Sequence, residues 1–257
     1  TSMFGFNAHF VFESLTHNGT MLPRMEGKLL MTFTLLQLGI YTVPEAARLT
    51  GVSPWRIRRW LRGYDFRAKS GRHHSEPVWR GQLEPIGRSM AIGFLDLIEI
   101  RYVNAFISKG VSWKTLRLAH RRSQDALNVT HPFCANQFKV AGREIILEIP
   151  QDNTEPQLWE IARDQQVFGR IIEKYILNLE FANGGAPTRW WPMGKDHRVV
   201  LDPCRSFGQP IISEEGVPTS VLARSVAANG SVEEVARWFE VSARSVREAL
   251  DFEKRIA

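Results

Sequence analysis

The chain has 257 residues, 44% hydrophobic and 23% charged, a balance that excludes a disordered or fibrous protein and leaves one large domain or two modest ones. Its net charge of +6 is unevenly spread: residues 41–80 hold nine Lys and Arg against three Asp and Glu, so the remainder sums to zero. A localised excess of cations points to a polyanion as partner more than a high overall pI does.

Cys134 and Cys204 stand far apart and in no metal-ligand spacing, so a disulfide framework is not expected and a reducing cytoplasm is the simplest setting. The longest uncharged run, residues 29–44, contains Thr, Gln, Gly and Pro and falls short of the ~20 apolar residues that a membrane span needs. No small-residue cleavage site comes after it, so it does not read as a signal peptide, and no membrane association is expected.

Residues 1–38 read as an N-terminal arm carrying Phe4, Phe6, Phe10 and Phe12, with 29–40 a short helix or extended segment covering the core of the next two helices. Residues 42–61, TVPEAARLTGVSPWRIRRWL, are the most informative stretch. Thr42 and Glu45 form a capping box, Pro44 sits in the first turn, and Gly51 ends the helix with positive φ. Ser53 caps a second helix with Pro54 at its first position. There Ile57, Trp60 and Leu61 make one apolar face, and Arg56, Arg58, Arg59 and Arg62 occupy most of the rest. A helix that only stabilises itself interleaves Glu with Arg. This one does not, and the pattern is that of a helix-turn-helix placing Ser53, Trp55 and the arginines at a DNA major groove. From Tyr64 to Arg80 the chain reads as a wing: Tyr64 and Phe66 on one strand, Val78 and Trp79 on the return, and Lys69, Arg72, His73 and His74 around a Ser-Gly turn that meets phosphate.

These residues resemble the winged helix-turn-helix of MerR-type regulators, and the likeness continues to about residue 130. The resemblance implies a DNA-binding domain over 39–130. The long dimerisation helix and cysteine metal ligands of MerR-type sensors are not evident in this sequence.

Residues 89–108 form a strong helix candidate with a wide apolar face, and Ser112 caps the next helix, 113–127. Residues 131–182 read as a connector: a β-hairpin over 137–149 with its turn at Ala141-Gly142, then helices over 157–165 and 168–181. Ile172, Tyr175, Ile176 and Leu179 make a narrow stripe suited to a dimer seam or to packing within the chain. Residues 183–196 read as a Gly-rich linker ending in Arg189-Trp190-Trp191-Pro192. The two tryptophans are either interface anchors or staples pinning the linker to a domain.

Residues 197–257 read as a small helical unit: a short strand over 198–202, then helices opened by Thr219 or Pro218, by Ser231 and by Ser242. Residues 231–257 carry five Lys and Arg against six Asp and Glu, a poor match to phosphate. Val235, Phe239, Val246 and Leu250 therefore suggest packing or dimerisation. The expected fold is mainly α with small β-hairpins: a winged helix-turn-helix, a central helical region with a β-hairpin, and a helix-turn-helix-like C-terminal domain.

The motifs VVLDP, FGQPII, GVPTSVL and SVEEVARWFEVSARSVREALDFE are similar to the small antitoxin domain of VapB-like antitoxins, which pair with PIN-fold ribonuclease toxins. This resemblance implies an antitoxin that silences a co-encoded ribonuclease and represses its own operon as a homodimer on an inverted repeat. It also implies a role for Arg189, Trp190 and Trp191: the guanidinium would occupy the toxin's metal-holding carboxylates and the indoles would anchor it.

No phosphate-binding loop, zinc-protease helix, nucleophile elbow or Cys-x-x-Cys pair is present. No catalytic residue, metal site or cofactor is expected, and scattered acids such as Asp96, Glu99 and Glu180 read as structural. The alternatives to an autorepressing antitoxin are a MerR-type ligand-responsive regulator, with its pocket in residues 90–180, and an adaptor whose cations serve nonspecific nucleic acid.

Overall fold

The computed structural model describes residues 37–150, 156–183 and 185–257. The fold is mainly α, with two small antiparallel sheets. Residues 1–36, nearly all of the arm expected over 1–38, and most of the covering segment expected over 29–40 lie outside the described residues.

Helix α1 (Val43–Thr50) starts at the expected capping box, in which the Thr42 backbone N–H donates to Glu45 Oε2 at 2.8 Å, and it stops at Gly51 with φ 70°. Helix α2 (Pro54–Arg62) starts at Ser53. Strands β1 (Tyr64–Ala68) and β2 (Gly71–Ser75) form a hairpin that pairs Tyr64 with Ser75 and Phe66 with His73. The return strand is thus 71–75, not the segment around Val78 and Trp79. Those two side chains are buried in the core, where apolar bulk is worth more than a place on a solvated wing.

Helix α3 (Phe94–Ser108) is the central post. It starts five residues later than its apolar pattern suggests, because Ile92 bridges to Tyr41 in extended form. It is buried on nearly every side, including Asp96 and Glu99. Both carboxylates are fully occupied (Trp79 Nε1, the Gln82 and Gly93 backbone N–H groups and His131 Nε2 all donate to Asp96, at 2.8–3.0 Å). Glu99 accepts from the Phe133 and Cys134 backbone N–H groups at 3.2 and 2.9 Å and lies 2.8 Å from His120 Nε2. The two acids clip the irregular segments 79–82 and 131–134 onto α3. Both cysteines are free, Cys134 buried and Cys204 exposed.

Around α3 pack α4 (Trp113–Leu127), α5 (Asn136–Leu147), α6 (Pro156–Arg163) and α7 (Gln165–Ile176). The hairpin expected over 137–149 is the helix α5 instead. Phe138, Ile145 and Ile146 lie on its buried face, and Gly142 is no turn: a Cβ there would meet the Phe138 ring at 2.7 Å. Helix α7 ends at Ile176, and the last residues of the expected 168–181 helix enter strand β3 (Leu179–Phe181).

The linker expected over 183–196 is part of a sheet. β3 pairs with β4 (Pro187–Trp190), β4 with β5 (Val199–Leu201), and β5 with β6 (Pro210–Ile212), all antiparallel. Between β3 and β4 the Gly185 N–H donates to the Ala182 carbonyl at 2.9 Å. Helices α8 (Thr219–Asn229), α9 (Val232–Trp238) and α10 (Ala243–Ile256) then enclose Val199, Ile212, Leu222, Val235, Val246 and Phe252. Tyr41 Oη donates to the Gly208 carbonyl at 2.7 Å, and the Ile40 N–H donates to Phe207 O at 3.0 Å. These bonds tie the start of α1 to the C-terminal sheet.

Candidate nucleic-acid interface

Ala46, Val52, Ile57 and Trp60 hold α1 and α2 against α3 and leave the opposite face of α2 in solvent. Arg56, Arg58 and Arg62 are exposed there, and none forms an ion pair among the described residues. Trp55, at the start of the helix, is 58% exposed. Arg58 and Arg62 stand one turn apart and share a cleft of about 380 Å³ with Arg88, beside Thr42 and Pro44. Three guanidiniums around one cleft suit an oxyanion.

Arg59 is different. Its guanidinium lies 4.3 Å from the Trp55 ring centre, 3.2 Å from that of Tyr64 and 5.8 Å from that of Trp113. It joins α2 to the first wing strand and to α4, and its Nε is buried with no acceptor. Arg117 on α4 fixes the base of the hairpin by donating to the Glu76 and Pro77 carbonyls at 2.7 and 3.0 Å and to Ser75 Oγ at 3.1 Å.

On the hairpin, Arg72 Nη2 and His74 Nδ1 both donate to Asp65, at 2.7 and 2.8 Å. The hydrogen bond from His74, then that from Arg72, holds the Asp65 carboxyl below the usual range. His73 stacks on Phe66 at 5.6 Å and pairs with Ser70. Lys69 and Arg67 are exposed without partners among the described residues. Part of the expected wing charge is therefore neutralised locally. Sequence reasoning missed Arg67, which alternation along β1 could have flagged, and Arg88, which only folding brings beside Arg58.

The residues expected to hold a toxin are engaged within the chain. Trp190 is 3% exposed in the main core, with the Arg101 guanidinium 4.1 Å from its ring centre. Arg189 donates to Asp202 at 2.9 Å and to Glu180 at 3.3 Å, and Trp191 Nε1 donates to Glu180 at 2.8 Å. The stapling alternative accounts for Trp190, because a buried indole cannot also anchor a partner. The expected dimer residues fare similarly: Ile172, Ile176, Leu179, Val235 and Val246 are buried in this chain's own cores, and Phe239 and Leu250 are half-buried against the C-terminal one. Exposed apolar bulk on the C-terminal unit lies at Trp238, Phe207 and Val221.

Among the described residues no group of His, Cys, Asp and Glu is arranged to hold a metal ion. No helix among them is long and apolar enough to cross a membrane.

Residues 199–252 match a family model described as "Protein of unknown function (DUF433)". Over 225 residues the chain is 28% identical to a Mycobacterium tuberculosis protein named "Putative antitoxin VapB45", covering 82% of this chain and 92% of that protein. Its fold is similar to the crystal structure of Rv2018 from Mycobacterium tuberculosis, with a TM-score of 0.64 at 24% identity over 82% of this chain and 97% of the other.

Proposed function

We propose that the chain is the antitoxin of a toxin–antitoxin pair and represses its own operon. The observation that carries this reading is the extent of the likeness to VapB45: it covers 82% of this chain and 92% of that protein, far more than the C-terminal unit alone. The match at 199–252 adds support at the end that would hold the partner.

The DNA-binding part rests on α2. Arg56, Arg58 and Arg62 would read base edges and phosphates in a major groove while Arg88 neutralises the adjoining phosphate. Lys69 and Arg67 on the hairpin would reach the flanking backbone. The wing and helix pair together would act as a MerR-like reader, with two copies on an inverted repeat. The partner would be a PIN-like ribonuclease held by the C-terminal unit, where Trp238 and Val221 supply exposed apolar area in place of the buried Trp190.

The test is co-expression with the neighbouring gene. Growth arrest by that gene alone, relief by this chain, and a shifted band with the operon's own promoter are the expected results. A neighbour whose toxicity this chain does not relieve would remove the antitoxin reading. A promoter bound no better than random duplex would remove autorepression.

A further inference from the structure

Arg101, in the middle of α3, has no hydrogen bond or ion pair with any described residue, and its Nη1 is buried without an acceptor. Two rings lie against its guanidinium: Trp190 at 4.1 Å and Tyr175 at 4.8 Å. Burial pushes its pKa down to about 10, against a smaller opposing pull from Tyr102 and Tyr175. A desolvated cation that lacks an anion is costly, and aromatic faces return only part of the loss.

Arg101 shares its helix face with Ala105 and Ser108, at i, i+4 and i+7. Ala105 and Ser108 form one wall of a groove of about 440 Å³ whose other wall is α7, and Arg101 does not itself line it. Ala105 and Ile171 make an apolar floor, and Tyr175, the ring beside Arg101, closes one end. Lys109 on the α3 side and Arg170 and Lys174 on the α7 side line the rest, and among the described residues no acid lines it. None of these three cations forms an ion pair among the described residues, and neighbouring Glu173 pairs with none of them.

We propose that the α3–α7 groove binds an acidic segment of a partner protein, its carboxylates meeting Lys109, Arg170 and Lys174 and an apolar side chain resting on Ala105 and Ile171, with the buried charge of Arg101 adding to the positive field beside Tyr175. The shape favours a peptide over a small molecule: the groove is open along its length, whereas small-ligand sites enclose most of their occupant. Cations on both walls over an apolar floor complement acids that flank an apolar residue. The proposal stands apart from DNA recognition, since none of the groove residues belongs to α2 or the hairpin.

The experiment uses the full chain and a fluorescein-labelled peptide, Glu-Leu-Glu-Glu-Leu-Glu, followed by anisotropy. The control replaces every Glu of the peptide by Gln. Expected results are saturable binding of the acidic peptide, at least tenfold weaker binding of the Gln peptide, and at least tenfold loss in the surface variant R170E/K174E. The variant R58A/R62A should bind the peptide as wild type does, and R170E/K174E should keep its affinity for promoter DNA. Equal binding of both peptides would overturn the proposal, as would peptide binding unchanged in R170E/K174E or lost in R58A/R62A. Complete competition by millimolar inorganic phosphate would reduce the groove to a small-anion site and also overturn it.

Discussion

The guanidinium of Arg59 lies 3.2 Å from the centre of the Tyr64 ring, so α2 and the β1–β2 hairpin meet through a cation and an aromatic face. A side chain held between Trp55, Tyr64 and Trp113 is not free to search for a base. Its work is to set the angle between α2 and the hairpin. Arg59→Met should weaken binding to every duplex by about 1–2 kcal/mol, the value of a desolvated cation–π contact, while the salt dependence keeps its slope. Arg59→Lys should not restore it, because stacking needs the planar group. Anisotropy titrations across a salt series check this, and a variant that loses discrimination at one base pair alone would make Arg59 a reader instead.

Arg58 and Arg62 carry the opposite expectation. Each is exposed and unpaired among the described residues, and both face Arg88 across one cleft. Replacing a base reader by Ala should cost about 1–3 kcal/mol and relax one position of the site. Arg88→Ala should instead lower affinity evenly and flatten the slope of log K against log salt by about 0.9. Titration of wild-type and singly mutated promoter duplexes separates the two.

Trp190 is expected to matter to the isolated protein. Truncation to Ala leaves a cavity beside Arg101 and should cost about 3–5 kcal/mol of stability, read as a fall in the urea midpoint. A Trp190→Ala variant with wild-type stability would place the indole outside the core.

Stability should also depend on His131. Burial disfavours its charge, but the hydrogen bond to Asp96 and the pull of Asp96 and Glu99 outweigh that and raise its pKa above the ordinary 6.5. A raised folded-state pKa gives stabilisation that is fully present below the unfolded value and fades as pH climbs through the folded one. Thermal midpoints should therefore fall, as pH climbs above the ordinary histidine value, by more in wild type than in His131→Gln. Asp96→Asn should be the harsher change, about 3–5 kcal/mol, since it leaves a buried network with a missing partner. Parallel pH profiles for wild type and His131→Gln would contradict the linkage.

The helix starts were legible because they are local. Thr42, Ser53, Ser112, Ser231 and Ser242 all cap the helices expected of them, and each motif needs only three or four neighbours to work. What was not legible depends on distant partners. Ala141-Gly142 reads as a turn unless one knows that the Phe138 ring fills the space beside Gly142. Gly184-Gly185 reads as a tether because strands of three or four residues leave no periodicity to detect. In the candidate interface the arginines could be counted from the chain, but their roles could not be separated. Only the folded β1–β2 hairpin puts Tyr64 under Arg59, and only the loop before α3 carries Arg88 to Arg58 and Arg62.

The four-stranded sheet has a consequence for how long the molecule survives. β3 and β4 come from the central body, β5 and β6 from the C-terminal unit, and β5 places Leu201 in one core and Val199 in the other. Tyr41 and Gly208 add a second tie across the same boundary. The two ends therefore open together rather than as beads on a string, and a protease that reaches one has reached both. Turnover of this chain removes its α1–α2 surface and its C-terminal surface at one rate, leaving no half-molecule to act alone.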